Sequence, residues 1–359
     1  MQKQTITVRV PATVGNFGSS AGFGTLALDA SLNVKVNRRY DGQVGVRYFG
    51  ENGERVPRDR SNLVVRAIEA ALHLKKVEFT GVDLEIYSSV PIAVGLGSST
   101  AAVLAGLISA SLLYHLELDE KSIFELAGVY ENRAGNLRAA WLGGFVACLG
   151  GSSGRGKGAK GCAPAMYQRT VVPGNLVLSV VVPETSLVPE SRLANNGAKP
   201  PRGGKRAAAQ TAGRNSRSAA SGAAVKENKI QLHRAAALSE FFAQQGGAIP
   251  FDLETTLPPT CEKKVAGLAE ALQVRTPGLL SVFLCGSGPA VGVFGGENTG
   301  EAVEAVRAAF ARHNVASSCF EFRPSNTGAL DWNSPYGDMA LSSGRGLTRS
   351  LPKTVSLPV

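Results

Sequence analysis

The chain has 359 residues, of which 44% are hydrophobic and 18% are charged, and its formal net charge is +10. This composition is typical of a globular protein with one large core or two fused domains, and no apolar run reaches the length of a membrane span. The five cysteines form no Cys-x-x-Cys pair, and the first residues show no signal-peptide pattern. We therefore expect a cytoplasmic protein without structural disulfides or a zinc site.

The spacing of apolar residues predicts an α+β fold without a strict strand–helix–strand repeat. In chain order the sequence predicts strands over 4–14, 26–40 and 42–49, a helix over 61–74, a strand over 82–90, helices over 98–114 and 121–134, strands over 143–150 and 176–182, helices over 229–245 and 259–273, strands over 279–285 and 290–294, a helix over 300–313 and a last strand over 317–324. The Asp41-Gly42 pair predicts a hairpin turn between the second and third strands. Ser61 or Asn62 is placed to cap the first helix.

The positive charge is concentrated in two segments that are rich in Gly, Ala and Ser. Residues 197–226 contain seven basic and no acidic residues, and residues 151–170 contain four more basic residues, again without acids. Both segments are poor in large apolar residues, so we interpret them as basic, mobile insertions rather than as parts of a core. Residues 197–226 also lack aromatic residues, which argues against nucleic-acid binding.

A glycine-rich turn between a predicted strand and a predicted helix is the sharpest local feature. Residues 91–102 read Pro-Ile-Ala-Val-Gly-Leu-Gly-Ser-Ser-Thr-Ala-Ala. Glycines let the backbone bend tightly and approach a ligand, and the free amides at a helix start attract an anion. Ser98 and Ser99 can cap the helix or offer a hydroxyl to a phosphate or to Mg²⁺. The turn is neither a Walker A loop nor a Gly-x-Gly-x-x-Gly fingerprint, so alone it predicts either an anion site or a tight connection.

The turn resembles the phosphate loop of GHMP kinases, Pro-x-x-x-Gly-Leu-Gly-Ser-Ser-x-Ala. Two further motifs of that family occur in the same order: residues 10–23 resemble its amino-terminal Val-Pro-Ala-Thr motif, and residues 285–290 resemble its third, glycine-bearing motif. The resemblance covers residues 8–330 without the basic insertion. It implies a two-lobed α+β fold with a ribosomal S5-like amino-terminal domain and a ferredoxin-like carboxyl-terminal domain.

The resemblance also implies a division of the chain. We expect a nucleotide-binding domain over 1–165, a second domain over 166–330 with the insertion at 197–226, and a disordered tail over 331–359. ATP and Mg²⁺ are the implied cofactors. The implied nucleotide-binding residues are Asn62, Pro91, Val94, Gly95, Leu96, Gly97, Ser98, Ser99, Thr100, Ala101, Gly286, Ser287 and Gly288.

Three other segments resemble homoserine kinases within the family: residues 61–64, 130–137 and 188–192. They imply that Glu131 and Ser98 hold Mg²⁺ and that Glu131 and Asn136 are catalytic, with Asn136 orienting the acceptor hydroxyl rather than deprotonating it. The implied substrate-binding residues are Asn16, Arg192 and Lys263.

The acceptor side departs from the family pattern. Gly24 stands where homoserine kinases have an acidic residue that contacts the amino group, and Arg133-Ala134-Gly135-Asn136 replaces His-Pro-Asp-Asn. Loss of the carboxylate should weaken recognition of an ammonium group by about 1–3 kcal/mol. We expect ATP-dependent phosphorylation of L-homoserine to O-phospho-L-homoserine, a step of threonine biosynthesis. Another hydroxylated acceptor and a catalytically degenerate nucleotide-binding homologue stay open, and family resemblance suggests a homodimer.

Structural interpretations of the implied site residues also stay open. Glu131 falls on a predicted helix, where a lone glutamate is more often solvated than bound to a metal. Asn136 is also placed as a helix C-cap beside Gly135. Arg192 can equally be a surface residue that leads into the insertion. The residue types alone do not decide between these alternatives.

Overall fold

The computed structural model describes residues 5–17, 24–131, 133–149, 166–184, 279–286, 288–312 and 314–333. Within these ranges ten strands form two sheets, and six α-helices pack against them. Several predicted features lie outside the described residues: Arg192, Lys263, Ser287, the basic segment 197–226 and the predicted helices 229–245 and 259–273.

The first sheet is built around one long central strand. Its strands are β1 (Thr5–Phe17), β2 (Gly24–Arg38), β3 (Val44–Phe49), β4 (Val82–Ser88), β5 (Phe145–Leu149) and β6 (Met166–Thr170). Strand β1 pairs antiparallel with one edge of β2 along almost its whole length, while β4 and β5 pair with the other edge. Strands β3 and β6 lie outside β4 and β5, respectively.

The hairpin predicted at Asp41-Gly42 is wrong. Strand β3 pairs in parallel with β4, and β4 lies between β2 and β3. The burial of the two strands gives the physical reason, because β4 has a fully buried apolar face at Val82, Leu84 and Ile86 whereas β3 is only half-buried. The strand with the more apolar face takes the inner position, and the half-polar strand becomes the edge.

Four helices pack with the first sheet, and two of them begin next to the predicted motifs. They are α1 (Leu63–Leu74), α2 (Ser98–Leu113), α3 (Glu120–Ala127) and α4 (Ala134–Leu142). Helix α1 begins as predicted after Asn62, whose side-chain oxygen accepts from the Val64 amide at 3.0 Å. Helices α1 and α2 touch at Gly106, where a Cβ would lie 2.5 Å from the Val64 carbonyl oxygen. None of the described helices has the length and apolar character needed to cross a membrane.

The helix predicted over 121–134 is shorter, and the helix after it was not predicted. Helix α3 ends at Ala127, with Gly128 as its C-cap, and α4 begins at Ala134. Helix α4 has glycine and asparagine, which are weak helix formers, in its first turn. The helix is buried on nearly all sides, so its sequence has no amphipathic period to detect. The consequence is that Glu131 lies on the connection between α3 and α4 and not on a helix.

The second sheet is antiparallel and shares a core with the first. Its strand order is β10 (Ser317–Phe322), β7 (Val177–Pro183), β9 (Val291–Gly295) and β8 (Leu279–Leu284), and α5 (Gly300–Ala311) packs on it. These strands and α5 match the sequence prediction to within one or two residues. Leu26 and Leu28 of β2 belong to the same buried cluster as Leu178, Phe283 and Phe294 of the second sheet.

The last described residues return to the first strand. Helix α6 (Ala329–Trp332) packs against β1, and the Arg9 guanidinium lies 4.0 Å from the centre of the Trp332 ring. The Asn333 side chain accepts from the Arg9 amide at 3.3 Å and donates to the Arg9 carbonyl at 3.0 Å. Residues 331–333, predicted as the start of a disordered tail, are therefore part of the fold, and residues 334–359 lie outside the described chain.

Residues 166–170 correct the interpretation of residues 151–170 as a mobile insertion. They form β6, which pairs with β5, so the first sheet continues past residue 165. The Arg169 side chain donates from Nε to the carbonyl oxygens of Leu142 at 3.0 Å and Gly143 at 3.1 Å, and from Nη2 to that of Asn326 at 2.6 Å. This basic residue satisfies carbonyls at the end of α4, where no helical partner is available.

Arg169→Met should lower the free energy of unfolding by about 2 kcal/mol, because it leaves carbonyl oxygens without a charged donor. The measurement is urea unfolding followed by circular dichroism. Arg47→Met is the matched control, because the Arg47 side chain on the edge strand is 70% exposed. Equal losses in the two variants would contradict a bridging role for Arg169.

Candidate functional site

The phosphate-loop glycines bring the three predicted motifs together. Gly95 has φ +93°, and a Cβ built on it would lie 1.8 Å from the carbonyl oxygen of Cys285 in the third motif. Gly97 has φ +69°, and a Cβ on it would lie 2.3 Å from Oγ1 of Thr13 in the first motif. The Thr13 amide also donates to the Leu96 carbonyl at 3.1 Å. Only glycine fits either position.

The start of α2 is open, and this corrects the expectation that Ser98 or Ser99 caps it. The N-cap is Gly97 in the left-handed conformation, and no side chain accepts from the first turn. The first helical hydrogen bond runs from the Ala101 amide to the Gly97 carbonyl at 2.9 Å. The amides of the first turn, together with the partial positive charge of the helix end, therefore favour an anion at this place.

The residues implied for nucleotide binding divide into two groups. Val94, Leu96 and Ala101 are buried in the core, so only their backbone faces a ligand. Gly95, Gly97 and the two serines are partly exposed at the loop surface. The third motif closes its own turn with a 2.7 Å hydrogen bond from the Gly288 amide to the Cys285 carbonyl.

Glu131 is attached to the first turn of α2. Its Oε2 accepts from the Thr100 hydroxyl at 2.6 Å, its Oε1 accepts from the Arg133 amide at 3.0 Å, and the residue is only 8% exposed. In the described ranges no three His, Cys, Asp or Glu residues form a cluster that would hold a metal. Mg²⁺ bound to a nucleotide needs only one or two protein ligands besides phosphate oxygens and water, so Ser98 and Glu131 fit that ion.

Asn16 and Asn136 lie at the same end of the site. The Asn16 Nδ2 donates to the carbonyl oxygens of Leu284 at 3.0 Å and Gly286 at 2.5 Å, so its Oδ1 is the atom left for a ligand. Asn136 is buried in the first turn of α4 and so is not a helix C-cap, and its Oδ1 lies 3.1 Å from where a Gly15 Cβ would be.

Two buried threonine hydroxyls were not predicted as site residues. Within the described chain, Oγ1 of Thr13 and Oγ1 of Thr25 are buried and have no hydrogen-bond partner. The Thr13 hydroxyl faces Gly97, and the Thr25 hydroxyl lies 3.4 Å from the position of a Gly15 Cβ. A buried hydroxyl without a partner is costly, and both of these face glycines of the predicted motifs. Of the two threonines, the sequence indicates only Thr13 as a candidate site residue, because it lies in the first motif.

Asn62 was implied as a nucleotide-binding residue, but its polar atoms are used within the fold. Its oxygen caps α1, and its Nδ2 donates to the Pro57 carbonyl at 2.9 Å. A cavity of about 240 Å³ opens instead at the start of the phosphate loop, between the two lobes. It is lined by Glu51, Asn52, Arg55, Pro91, Ile92, Ala93, Val94, Val182, Pro183, Glu184, Pro289, Ser318 and Phe320.

Comparison with known proteins defines the fold class. Residues 62–151 match the family described as GHMP kinases N terminal domain. The solved homoserine kinase of Cytophaga hutchinsonii has a TM-score of 0.58 and 19% identity, covering 91% of this chain and 97% of that one. The chain therefore has the two-lobed α+β fold of GHMP kinases, as its motifs predicted.

Two curated relatives of this chain are homoserine kinases. The homoserine kinase of Moorella thermoacetica is 28% identical over 324 residues, which cover 90% of this chain and 98% of the relative. The homoserine kinase of Corynebacterium aurimucosum is 38% identical over 143 residues, so the chain spans only 46% of that relative's length. Both relatives, like the solved structure from Cytophaga hutchinsonii, are named homoserine kinases.

Proposed function

We propose that the protein is an ATP-dependent kinase that phosphorylates the hydroxyl of L-homoserine to give O-phospho-L-homoserine, a cytoplasmic step of threonine biosynthesis. The observation that carries the proposal is the meeting of the open α2 end, the third glycine turn and the buried Glu131 carboxylate. Phosphoryl transfer requires this combination of positioning and charge neutralisation. The similarity to homoserine kinases supports the acceptor.

The donor side follows from the loop geometry. The amides of the Gly95–Ser99 segment bind the β- and γ-phosphates, and the first-turn hydroxyls lie beside them. Bound Mg²⁺, held by Ser98 and Glu131, would supply charge neutralisation. Thr100 keeps the Glu131 carboxylate oriented toward this place. The nucleoside end enters the cavity at Pro91–Val94.

The acceptor side lies around Asn16 and Asn136. Asn136 orients the hydroxyl toward the γ-phosphoryl group, and the Asn16 Oδ1 accepts from the amino group. Arg192 and Lys263 remain predicted carboxylate partners outside the described residues. Asn136 cannot act as a base, so catalysis relies on orienting the hydroxyl and neutralising the phosphate charge. This is sufficient for phosphoryl transfer when deprotonation of the hydroxyl is not the main barrier.

The direct experiment measures ADP release from Mg·ATP with L-homoserine, mevalonate, L-serine and no acceptor. Turnover with homoserine that depends on Asn136, tested as Asn136→Ala, supports the proposal. Turnover with another acceptor would support a kinase activity but exclude homoserine as its substrate. ATP binding without turnover on any acceptor would contradict the proposal and favour a degenerate nucleotide-binding homologue.

Gly24→Asp provides a gain-of-function test of the acceptor. Restoring the family carboxylate should raise kcat/KM for L-homoserine about 5- to 150-fold, the equivalent of about 1–3 kcal/mol of ammonium recognition. Gly24→Asn is the matched control, since it adds the same volume without the charge. Equal effects of the two substitutions, or a gain limited to acceptors without an amino group, would argue against homoserine.

A further inference from the structure

The Arg133 guanidinium lies where two glycine turns meet. A Cβ on Gly286 would lie 3.4 Å from Nη1 of Arg133 and 2.7 Å from the carbonyl oxygen of Gly95. The Arg133 side chain therefore reaches the joint between the third motif and the phosphate loop. In the sequence this position appears only as the loss of a family histidine.

The backbone of Arg133 is fixed to the donor side of the site. Its amide donates to Glu131 Oε1 at 3.0 Å, and Glu131 Oε2 accepts from the Thr100 hydroxyl at 2.6 Å. This chain of hydrogen bonds connects Arg133 to the first turn of α2. Arg133 also precedes α4 directly, and its side chain does not cap that helix. The backbone of Arg133 is therefore held by the same carboxylate that Thr100 holds at the first turn of α2.

The charge of Arg133 is not neutralised within the described part of the chain. None of the ion pairs or side-chain hydrogen bonds found there involves its guanidinium, whereas Arg39 pairs with Asp41 and Asp83, and Arg138 pairs with Glu120. A guanidinium binds phosphate oxygens through two parallel N–H groups and keeps its charge at any working pH. Together with the open α2 end and the unpartnered Thr13 hydroxyl, this cation indicates an anion.

The place of Arg133 indicates which anion it binds. The Gly286 turn touches Gly95 of the phosphate loop on one side and the Asn16 side chain on the other, through the 2.5 Å hydrogen bond to the Gly286 carbonyl. Donor and acceptor therefore meet at this turn. The group that lies between them during the reaction is the γ-phosphoryl group.

We propose that Arg133 is a catalytic residue that binds the γ-phosphoryl group while it passes from ATP to the acceptor, an inference that rests on the proposed function. The acceptor oxygen forms a bond to the γ-phosphorus, and the bond from that phosphorus to the bridging oxygen breaks. ADP leaves with that electron pair, and the hydroxyl proton passes to a nonbridging oxygen of the transferred group. The guanidinium stabilises the charge on those equatorial oxygens.

The test compares Arg133→Gln and Arg133→Lys with wild type in steady-state kinetics. Arg133→Gln should lower kcat about 100-fold or more while the KM for the acceptor changes less than about threefold. Arg133→Lys should restore part of the loss, because a lysine keeps the charge without the planar fork. Arg47→Gln, on the exposed edge strand, is the matched control and should leave kcat unchanged, with the unfolding midpoints of all variants compared.

A binding measurement separates this inference from the proposed function. Calorimetry with Mg·ADP and aluminium fluoride, a mimic of the transferring phosphoryl group, should show a gain in affinity over Mg·ADP in wild type that Arg133→Gln loses. The assignment would be overturned if Arg133→Gln left kcat unchanged, kept the affinity gain from aluminium fluoride, or changed only the KM for the acceptor. If wild type turns over no acceptor, the proposed function fails, yet loss of the aluminium fluoride gain in Arg133→Gln would still support the phosphate contact.

Discussion

Gly95→Ala should weaken Mg·ATP binding roughly 100-fold, measured by titration with a fluorescent ATP analogue. The reason is twofold: φ +93° strains any other residue, and the new Cβ would lie 1.8 Å from the Cys285 carbonyl oxygen. The Cys285 backbone cannot yield easily, since its amide donates to the Ala290 carbonyl at 2.9 Å within the β8–β9 turn. The loop must move away from the phosphates instead.

Two other glycines provide the control for that substitution. A Cβ on Gly174 or on Gly300 would have no neighbouring atom within 4 Å, and neither residue has a positive φ. Gly174→Ala and Gly300→Ala should therefore bind Mg·ATP like wild type. Wild-type affinity in a folded Gly95→Ala variant would show that the loop does not carry the phosphates.

Glu131→Gln should lower kcat/KM at least about 100-fold, equivalent to about 2.7 kcal/mol in the barrier. The amide keeps the volume of the carboxylate and can still accept from the Thr100 hydroxyl, but it loses the charge that attracts Mg²⁺. The measurement is the rate of ADP release at several Mg²⁺ concentrations. The apparent Mg²⁺ requirement should rise in the variant, which a purely structural defect would not produce.

Thr100 and Glu304 give the comparison variants for Glu131. Thr100→Val removes the hydroxyl that orients the carboxylate and should cost about 10- to 100-fold, whereas Thr100→Ser should be close to wild type. Glu304→Gln changes a glutamate on α5 whose side chain is 70% exposed and should have no effect. An unaltered Mg²⁺ requirement in Glu131→Gln would remove this residue from the metal site.

Local sequence signals predicted the elements that have marked ends or short, continuous apolar runs. Asn62 caps α1 because an asparagine before an apolar-periodic run accepts from the first free amides. Strands β7, β8 and β9 were predicted because they are short, continuous apolar runs, which are typical of strands buried on both faces. Helix α4 was missed because Gly135 and Asn136 lie in its first turn and because the helix is buried on nearly all sides.

The candidate site was predictable in its motifs but not in its contacts. The resemblance to GHMP kinases gave the phosphate loop and the third glycine turn as separate segments. It could not give the contact of Gly95 with Cys285 or of Arg133 with Gly286, because these depend on how the two lobes pack. The contacts of Arg169 could not be predicted either. A basic residue in a Gly-rich stretch is expected to be solvated, and its carbonyl partners are known only from the structure.

The contact between Asn333 and Arg9 has a consequence for how the chain is made. The Asn333 side chain pairs with both backbone groups of Arg9, as a neighbouring strand would, and so closes part of the free edge of β1. Arg9 of strand β1 is synthesised more than three hundred residues before Asn333. Until Asn333 is made, this part of the β1 edge lacks that partner, and unpaired strand edges of incomplete chains are prone to pair with other chains.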